Sequence, residues 1–162
     1  MYDHLRAVLE LLPNAFHRVG TAGDILHAPM GLSSGMRGLL LSLKYAGPTS
    51  VPRLAAMRPV SRQFVQKLVD EMLTGEWVEA LHNPSHKRSP LIGLTAKGVA
   101  AVEHLYLTEE PYLATLGEGF SQEELEITTG VLRAICDRLN PDALEALAEE
   151  LAKVASEEKA HA

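Results

Sequence analysis

A short segment near the middle of the chain carries polar and basic side chains with the chemistry to contact nucleic acid. Gln63 and Gln66 end in amides, which can pair with adenine through two hydrogen bonds. Arg62 and Lys67 end in cations, which can contact a phosphate or a guanine. Apolar residues recur through 65–73 at the spacing of one helix face. The pattern therefore predicts an amphipathic helix with these four side chains beside or opposite its apolar face.

Two positions on this predicted helix have more than one interpretation. Arg62 lies near the edge of the apolar face, so a structural ion pair and a DNA contact are equally good interpretations. Phe64 lies on a flank of the helix and could touch a thymine methyl group. It could also pack against the preceding helix, which is the interpretation that we favour.

A polar loop at 82–90 places His86, Lys87 and Arg88 side by side between two short apolar segments. Residues 77–81 and 91–94 are predicted strands, so the loop is the tip of a β-hairpin. Cations at such a tip can contact the DNA backbone or the minor groove beside a bound helix. A tip that is simply solvated is the alternative.

Two serines stand at the predicted starts of helices. Ser50 and Ser61 each precede a short helical segment, at 51–57 and 61–74. A hydroxyl and free backbone N–H groups at a helix start can bind phosphate. The alternative is plain N-capping of the helix, which is compatible with phosphate binding.

The distribution of charge along the chain supports a nucleic-acid partner more than the net charge does. The formal net charge is −6, which opposes binding to a polyanion. Residues 44–97, however, hold eight basic and four acidic residues. A basic segment between acidic flanks is a plausible electrostatic footprint, although ordinary charge fluctuation is an equal alternative.

The remaining pattern is helical, so the predicted fold class is mainly α with a small β-hairpin (α+β). A helix is expected over 1–27, with a kink or interruption at Pro13. The next begins after Ser33 or Ser34 and stops at the breaker 46–48. Further helices are predicted at 95–107, 121–139 and 141–159.

Four motifs in this order carry a family resemblance. They are G-P-T-S-V-P-R-L-A at 47–55, V-S-R-Q-F-V-Q-K-L-V-D at 60–70, G-E-W-V-E at 75–79 and L-T-A-K-G at 94–98. Their order and spacing resemble the winged helix-turn-helix regulators of the MarR family over roughly residues 31 to 107. Two positions depart from the family pattern: His86 stands where an acid usually orients the wing arginine, and Phe64 replaces a small residue.

The resemblance implies a homodimeric transcription regulator, expected to be a repressor, on a pseudo-palindromic operator in double-stranded DNA. It implies dimerisation regions at 1–30 and 108–162 around a DNA-binding domain at 31–107. It also implies that a small, often aromatic or phenolic, effector can bind between these parts. The side chains expected at the dimer interface are Leu5, Leu9, Leu12, Leu132, Ile135, Leu139 and Leu144.

Other classes of site find no support in the sequence. No nucleophile elbow, phosphate loop or paired carboxylates indicate an enzyme, and no cofactor is expected. The seven histidines show no metal-binding spacing, so we predict no metal site and interpret them as surface or interface residues. The single cysteine, Cys136, is interpreted as a buried, inert thiol.

Location and an alternative function follow from composition. No apolar run approaches the roughly 18 residues that a membrane span needs, and the first residues lack a signal-peptide pattern. We therefore expect a cytoplasmic protein without a membrane partner. The negative net charge of the chain and the replacement of the usual wing acid by His86 leave open a second hypothesis, a winged-helix protein-interaction module that has lost DNA binding.

Overall fold

The computed structural model describes residues 2–58, 60–86 and 88–160, with side chains described as far as residue 153. Its helices are α1 (Tyr2–His27), α2 (Ser34–Ala46), α3 (Val51–Ala56), α4 (Arg62–Thr74), α5 (Ala96–Leu116), α6 (Gln122–Arg138) and α7 (Pro141–Ala160). Its strands are β1 (Thr49–Ser50), β2 (Val78–Leu81) and β3 (Leu91–Leu94). A 3-10 turn, Ala28–Met30, follows α1. The predicted fold class, mainly α with a small β-hairpin, is confirmed.

The sheet contains one strand more than the predicted hairpin. β2 and β3 pair antiparallel, with Val78 opposite Leu94 and Leu81 opposite Leu91. β1 pairs with the other edge of β3, which gives the order β1-β3-β2. Two residues are too few to show the alternation by which a strand is recognised in sequence.

The core of the first unit forms where α2, α4 and α5 meet the small sheet. Each helix contributes apolar residues at helical spacing, so one stripe of each is buried. The largest apolar side chains that are fully shielded from solvent are Leu39, Leu40, Leu54, Val65, Val69, Met72, Ile92, Val102 and Leu105. This packing leaves the opposite face of α4 open to solvent.

The end of α4 is fixed by a Schellman motif. Trp77 N donates to Met72 O at 3.0 Å, and Glu76 N donates to Leu73 O at 3.1 Å. The left-handed residue in this motif is Glu76, with φ 57°, whereas the preceding Gly75 has an ordinary φ of −79°. Gly75 is needed for space, because a Cβ there would overlap the Trp77 ring.

Two of the motifs that carry the family resemblance lie against each other at the base of the hairpin. Thr95 N donates to Trp77 O at 3.1 Å, and Thr95 Oγ1 donates to Glu76 O at 2.7 Å. A Cβ at Gly98 would overlap the carbonyl of Trp77. The glycine therefore lets α5 approach the start of β2, which sets the direction of the wing relative to α4.

Two helix predictions need correction. α5 was predicted to end at Leu107 but runs to Leu116, with Pro111 inside it. Its buried stripe continues past Leu107 to Glu109, two residues before Pro111. α1 runs through Pro13 without an interruption, and the other predicted effect, a kink at Pro13, stays a prediction.

The chain divides into two compact units, residues 1–115 and 116–162. In the second unit, α6 begins with the predicted capping box, in which Ser121 Oγ accepts from Glu124 N and Glu124 Oε2 accepts from Ser121 N. Asn140 Oδ1 accepts from Ala143 N at 3.0 Å and caps α7. Within the described part of the chain, no helix is long and apolar enough to cross a membrane.

Candidate nucleic-acid interface

The solvent-facing side of α4 carries the residues that the sequence singled out. Val65 and Val69 are buried in the core, whereas Arg62, Gln63, Gln66 and Lys67 are exposed. The structural ion pair, one of the two interpretations of Arg62, is not observed among the described residues, and the DNA contact stays a prediction. No described carboxylate forms an ion pair with Arg62.

Two of these exposed side chains are engaged by acids one turn further along α4. Gln66 Nε2 donates to Asp70 Oδ1 at 2.8 Å. Lys67 Nζ lies 3.8 Å from Glu71 Oε1 in a solvent-exposed pair. Such contacts are weak in water and leave both side chains able to re-pair with a ligand. Gln63 has no acidic partner among the described side chains.

The two helix-start serines differ in what their hydroxyls do. Ser61 Oγ accepts from Phe64 N at 3.1 Å, so it caps α4 as its alternative interpretation expected. Ser50 precedes α3 with extended backbone and makes no side-chain capping hydrogen bond. The hydroxyl of Ser50 is therefore not committed to capping α3.

Phe64 is half exposed, at 46% of its accessible surface. A Cβ built on Gly35 would lie 3.5 Å from Phe64 Cζ, so the end of the ring rests against α2. The ring therefore packs partly on a preceding helix, as favoured from sequence, while its remaining surface faces solvent beside Gln63.

The wing tip is a hydrogen-bonded turn. Asn83 Nδ2 donates to Ser89 O at 2.7 Å, and Ser85 N donates to Asn83 Oδ1 at 3.0 Å. His86 and Arg88 are exposed at this tip, and no described carboxylate pairs with either. Lys87 lies outside the described residues, so its predicted role stays a prediction.

A groove between α4 and the wing joins the two predicted contact regions. Arg62 and Gln66 line it from α4, and Arg88 lines it from the wing. Its volume is about 170 Å³. Two cations that are 26 positions apart in sequence thus flank one groove, an arrangement suited to an anion.

The leucines and the isoleucine predicted for a dimer interface reach the surface of the chain. Leu5, Leu9, Leu139 and Leu144 are exposed, and the other three are half-buried. Cys136 is exposed, so its interpretation as a buried thiol is wrong. The thiol follows directly after the half-buried Ile135 on α6 and so turns away from the shielded face.

The histidine interpretation is wrong at one position. His27 is buried, and its Nε2 lies 2.9 Å from Glu109 Oε1. Arg37 also binds this carboxylate, from Nε to Oε1 and from Nη2 to Oε2. His27 and Glu109 are 82 positions apart, so the sequence carries no local signal of this contact.

The other histidines behave as predicted where they can be assessed. His4, His17, His82, His86 and His104 are exposed, and His161 lies outside the described residues. Over residues 2–58, 60–86 and 88–160, no group of three or more histidine, cysteine, aspartate or glutamate side chains could hold a metal ion.

Sequence comparison finds relatives over about half of the chain. An uncharacterized protein of Mycobacterium tuberculosis is 31% identical over 94 residues, which are 56% of this chain and 65% of the relative. The multiple antibiotic resistance protein MarR of Salmonella typhimurium is 28% identical over 79 residues, which are 49% of this chain and 55% of that protein. The chain thus spans under two thirds of the length of these relatives. No family model matches it.

Structure comparison covers nearly the whole chain. A crystal structure of a MarR family transcription regulator superposes with a TM-score of 0.73 and 26% identity over 94% of this chain and 95% of the other. A mutant Escherichia coli MarR complexed with operator DNA gives a TM-score of 0.67 at 22% identity, over 80% of this chain and 96% of the other. BpsR of Bordetella bronchiseptica, whose DNA binding is regulated by 6-hydroxynicotinic acid, superposes with a TM-score of 0.70 and 20% identity over 80% of this chain and 98% of BpsR. With its four motifs and its three-stranded winged fold, the chain is similar in sequence and in fold to the winged helix-turn-helix regulators of the MarR family.

Proposed function

We propose that this protein is a sequence-specific, DNA-binding transcription regulator that acts as a homodimer, most simply as a repressor. The observation that carries the proposal is the arrangement of α4 and the wing. One face of α4 is buried, the opposite face presents Gln63 and Lys67, and Arg62 and Arg88 flank the groove beside it. An α-helix that protrudes in this way fits the major groove, and an adjacent hairpin reaches the backbone or minor groove.

Each candidate residue is assigned a role from its chemistry. We assign base contacts to Gln63 and Gln66, because amides pair with adenine. Lys67 and Arg62 supply phosphate contacts, together with Ser50 at the start of α3. The wing tip, with His86, Lys87 and Arg88, contacts the neighbouring backbone or minor groove.

Dimerisation is proposed through apolar residues of α1, α6 and α7. Leu5 and Leu9 are exposed on α1, Leu139 follows α6, and Leu144 is exposed on α7. Exposed leucines in this number are expected to mark an interface. Sedimentation equilibrium should give twice the monomer mass of 17.6 kDa for the whole chain. A monomeric mass at micromolar concentration would contradict the dimer.

Two further features of the proposal rest only on the similarity of this chain to known regulators. Because DNA binding by BpsR is regulated by 6-hydroxynicotinic acid, we propose that a small aromatic or phenolic effector releases this protein from DNA. We also expect the protein to act in the cytoplasm, with no cofactor and no enzymatic activity. A metabolite that is bound and recovered unchanged would separate a sensor from an enzyme.

The primary experiment is fluorescence anisotropy with the DNA next to the gene at two salt concentrations. We expect salt-sensitive binding that survives competitor DNA, with two protomers on each site. Lys67→Ala should weaken binding to all sequences and lower the salt slope by about one. Gln63→Ala should instead reduce the preference for the specific site, by about 1–3 kcal/mol at one base pair.

A winged-helix module that binds proteins is the second candidate. Asp70 accepts a hydrogen bond from Gln66, and Glu71 forms an ion pair with Lys67. These two carboxylates lower the positive charge of the exposed face of α4, and this observation favours the second candidate. Selection from random DNA distinguishes the two functions. Enrichment of a pseudo-palindromic site supports the regulator, whereas no enrichment by a folded dimer supports the module. The double substitution Lys87→Ala with Arg88→Ala should reduce DNA affinity only if the wing touches DNA.

A further inference from the structure

One side chain on the exposed part of α4 has no role in the proposed function. Phe64 lies in the first turn of the helix and keeps 46% of its surface exposed. Every other exposed residue of α4, a helix that the structure describes in full, is polar or charged. The first turn of a helix that enters the major groove is the part whose side chains contact base edges. Phe64 therefore lies where a DNA sequence would be recognised.

The ring of Phe64 is supported on one side by α2 and by its own helix. A Cβ built on Gly35 of α2 would lie 3.5 Å from Phe64 Cζ and 2.9 Å from Leu68 Cδ1. Leu68 lies four positions further along α4, so it is a neighbour of Phe64 on the helix surface and leans toward it. The two side chains thus cover a position of α2 that has no side chain. The opposite side of the ring stays open to solvent.

The backbone of Phe64 is fixed as well. Ser61 Oγ accepts from Phe64 N at 3.1 Å, and this N-cap bond holds the first turn of α4 in place. A side chain that is already ordered loses little conformational entropy when it contacts a ligand. The ring is therefore pre-organised for an apolar contact.

The chemistry of the major groove identifies the partner of this ring. Among the four bases, thymine alone presents a methyl group there. Gln63 can pair with an adenine and Lys67 can contact a phosphate, but neither side chain recognises a methyl group. Insertion of the ring between base pairs would require the whole side chain, and more than half of its surface is already covered. The exposed edge is sufficient for a methyl contact.

We propose that Phe64 recognises thymine, and that the exposed edge of its ring contacts the C5 methyl group of one thymine in each half-site of the operator. The inference rests on the proposed function, because it assigns a further specificity residue to the same DNA-binding surface. The contact is apolar and uncharged. It therefore adds to the preference for one sequence without adding to the attraction of α4 for DNA of any sequence.

The test compares thymine with deoxyuridine, a pair that differs in the C5 methyl group. Selection from random DNA by the full chain supplies the duplex, and each thymine of one half-site is replaced in turn. We expect one replacement to lower the affinity of the wild-type protein by about threefold to fivefold, as burial of one methyl group predicts. Phe64→Ala should bind the thymine duplex and this deoxyuridine duplex equally.

Matched variants separate a methyl contact from a purely structural role of the ring. Phe64→Leu keeps an apolar side chain and should keep part of the preference for thymine over deoxyuridine. Gln63→Ala, one position away, should lower the affinity for both duplexes and leave their ratio at the wild-type value. Phe64→Ala should leave the slope of log K against log salt unchanged, whereas Lys67→Ala should lower it by about one.

Cytosine provides the same test in the opposite direction. 5-Methylcytosine carries its methyl group at the same ring position as thymine. At the position found with deoxyuridine, a duplex with 5-methylcytosine should bind the wild-type protein about threefold to fivefold more tightly than one with cytosine. Phe64→Ala should bind these two duplexes equally.

The outcomes distinguish this inference from the proposed function. If a specific site is selected but no deoxyuridine replacement weakens wild-type binding, the methyl contact is wrong and the regulator remains. The same conclusion follows if Phe64→Ala keeps the wild-type preference for thymine. If the folded protein selects no site, both proposals fail. Thermal unfolding checks that each variant is folded, and Phe64→Gln provides the same comparison if Phe64→Ala is not.

Discussion

Glu109 Oε1 lies 2.9 Å from His27 Nε2 in a site where both side chains are shielded from solvent. The same carboxylate binds Arg37, so it links α1, α2 and α5. His27 Nδ1 has no hydrogen-bond partner within the described part of the chain. Among the described groups, the Glu109 carboxylate is therefore the only hydrogen-bond partner of the His27 ring.

Removal of this carboxylate should destabilise the protein. Glu109→Ala leaves a buried imidazole and a half-buried guanidinium unpaired, which should lower the free energy of unfolding by about 2–4 kcal/mol. Glu109→Gln should cost less, because the amide can still accept a hydrogen bond from one partner. Urea denaturation measures both. Glu110→Ala, at an exposed neighbouring position, is the control, and an equal loss in that variant would contradict the structural role of Glu109.

The same carboxylate should make stability depend on pH. The hydrogen bonds from Arg37 hold the pKa of Glu109 below its ordinary value, despite the opposing effect of burial. A lowered folded-state pKa gives stability that is complete above the unfolded pKa of about 4.3 and is lost as the pH falls through the folded pKa. The free-energy difference between wild type and Glu109→Gln should narrow as the pH falls below about 4.

Urea titrations of the two proteins at four pH values between 7 and 3 measure this dependence. Glu110→Gln, which changes charge at an exposed site, should keep a nearly constant difference from wild type. A Glu109→Gln difference that does not narrow in acid would mean that the Arg37 pair does not favour the ionised carboxylate in the folded state.

The left-handed backbone of Glu76 leads to a prediction of increased stability. A non-glycine residue with φ 57° at the end of α4 costs energy that glycine avoids. Glu76→Gly should therefore raise the free energy of unfolding by up to about 1 kcal/mol. Glu76→Ala removes the same charge without relieving the backbone and should not stabilise. Thermal unfolding of both variants separates these effects, and equal stabilities would contradict the prediction.

The sequence alone predicts most of the secondary structure, because local rules set it. The period of the apolar residues in 65–73 predicts α4, and the capping box at Ser121 predicts the start of α6. β3 was located at its observed bounds, 91–94, because polar residues and prolines frame it. The missed features are non-local: β1 exists only by pairing with β3, and no local pattern indicates that the buried stripe of α5 extends past Leu107 to Glu109.

The site was predictable where side-chain chemistry and periodicity coincide. Gln63 and Lys67 are exposed as their positions on the helix predict. The contact of Phe64 with α2 is a different case, because it depends on the absence of a side chain at Gly35, 29 positions earlier. The contact between His27 and Glu109 depends on the approach of α1 to α5, which no local pattern specifies.

The shared groove of Arg62 and Arg88 yields a test of how α4 and the wing act together on DNA. Both arginines line one groove, so we expect them to contact the same phosphate. Each single alanine variant should leave the slope of log K against log salt nearly unchanged, because the other arginine still neutralises the shared phosphate. The double variant should lower the slope by about one, whereas two separate phosphates would lower it by about one for each single variant and about two for the double variant.

Anisotropy titrations over a range of salt concentrations complete a double-mutant cycle. A shared phosphate predicts that the double variant loses more than the sum of the single losses, by at least about 0.5 kcal/mol, because only the double variant leaves the phosphate without a cation. Arg53, exposed on α3 and outside the groove, supplies the matched control, because Arg53→Ala and Arg88→Ala should add. Additive losses for Arg62 and Arg88 would show instead that the recognition helix and the wing hold different phosphates, so the groove between them would not set their register on DNA.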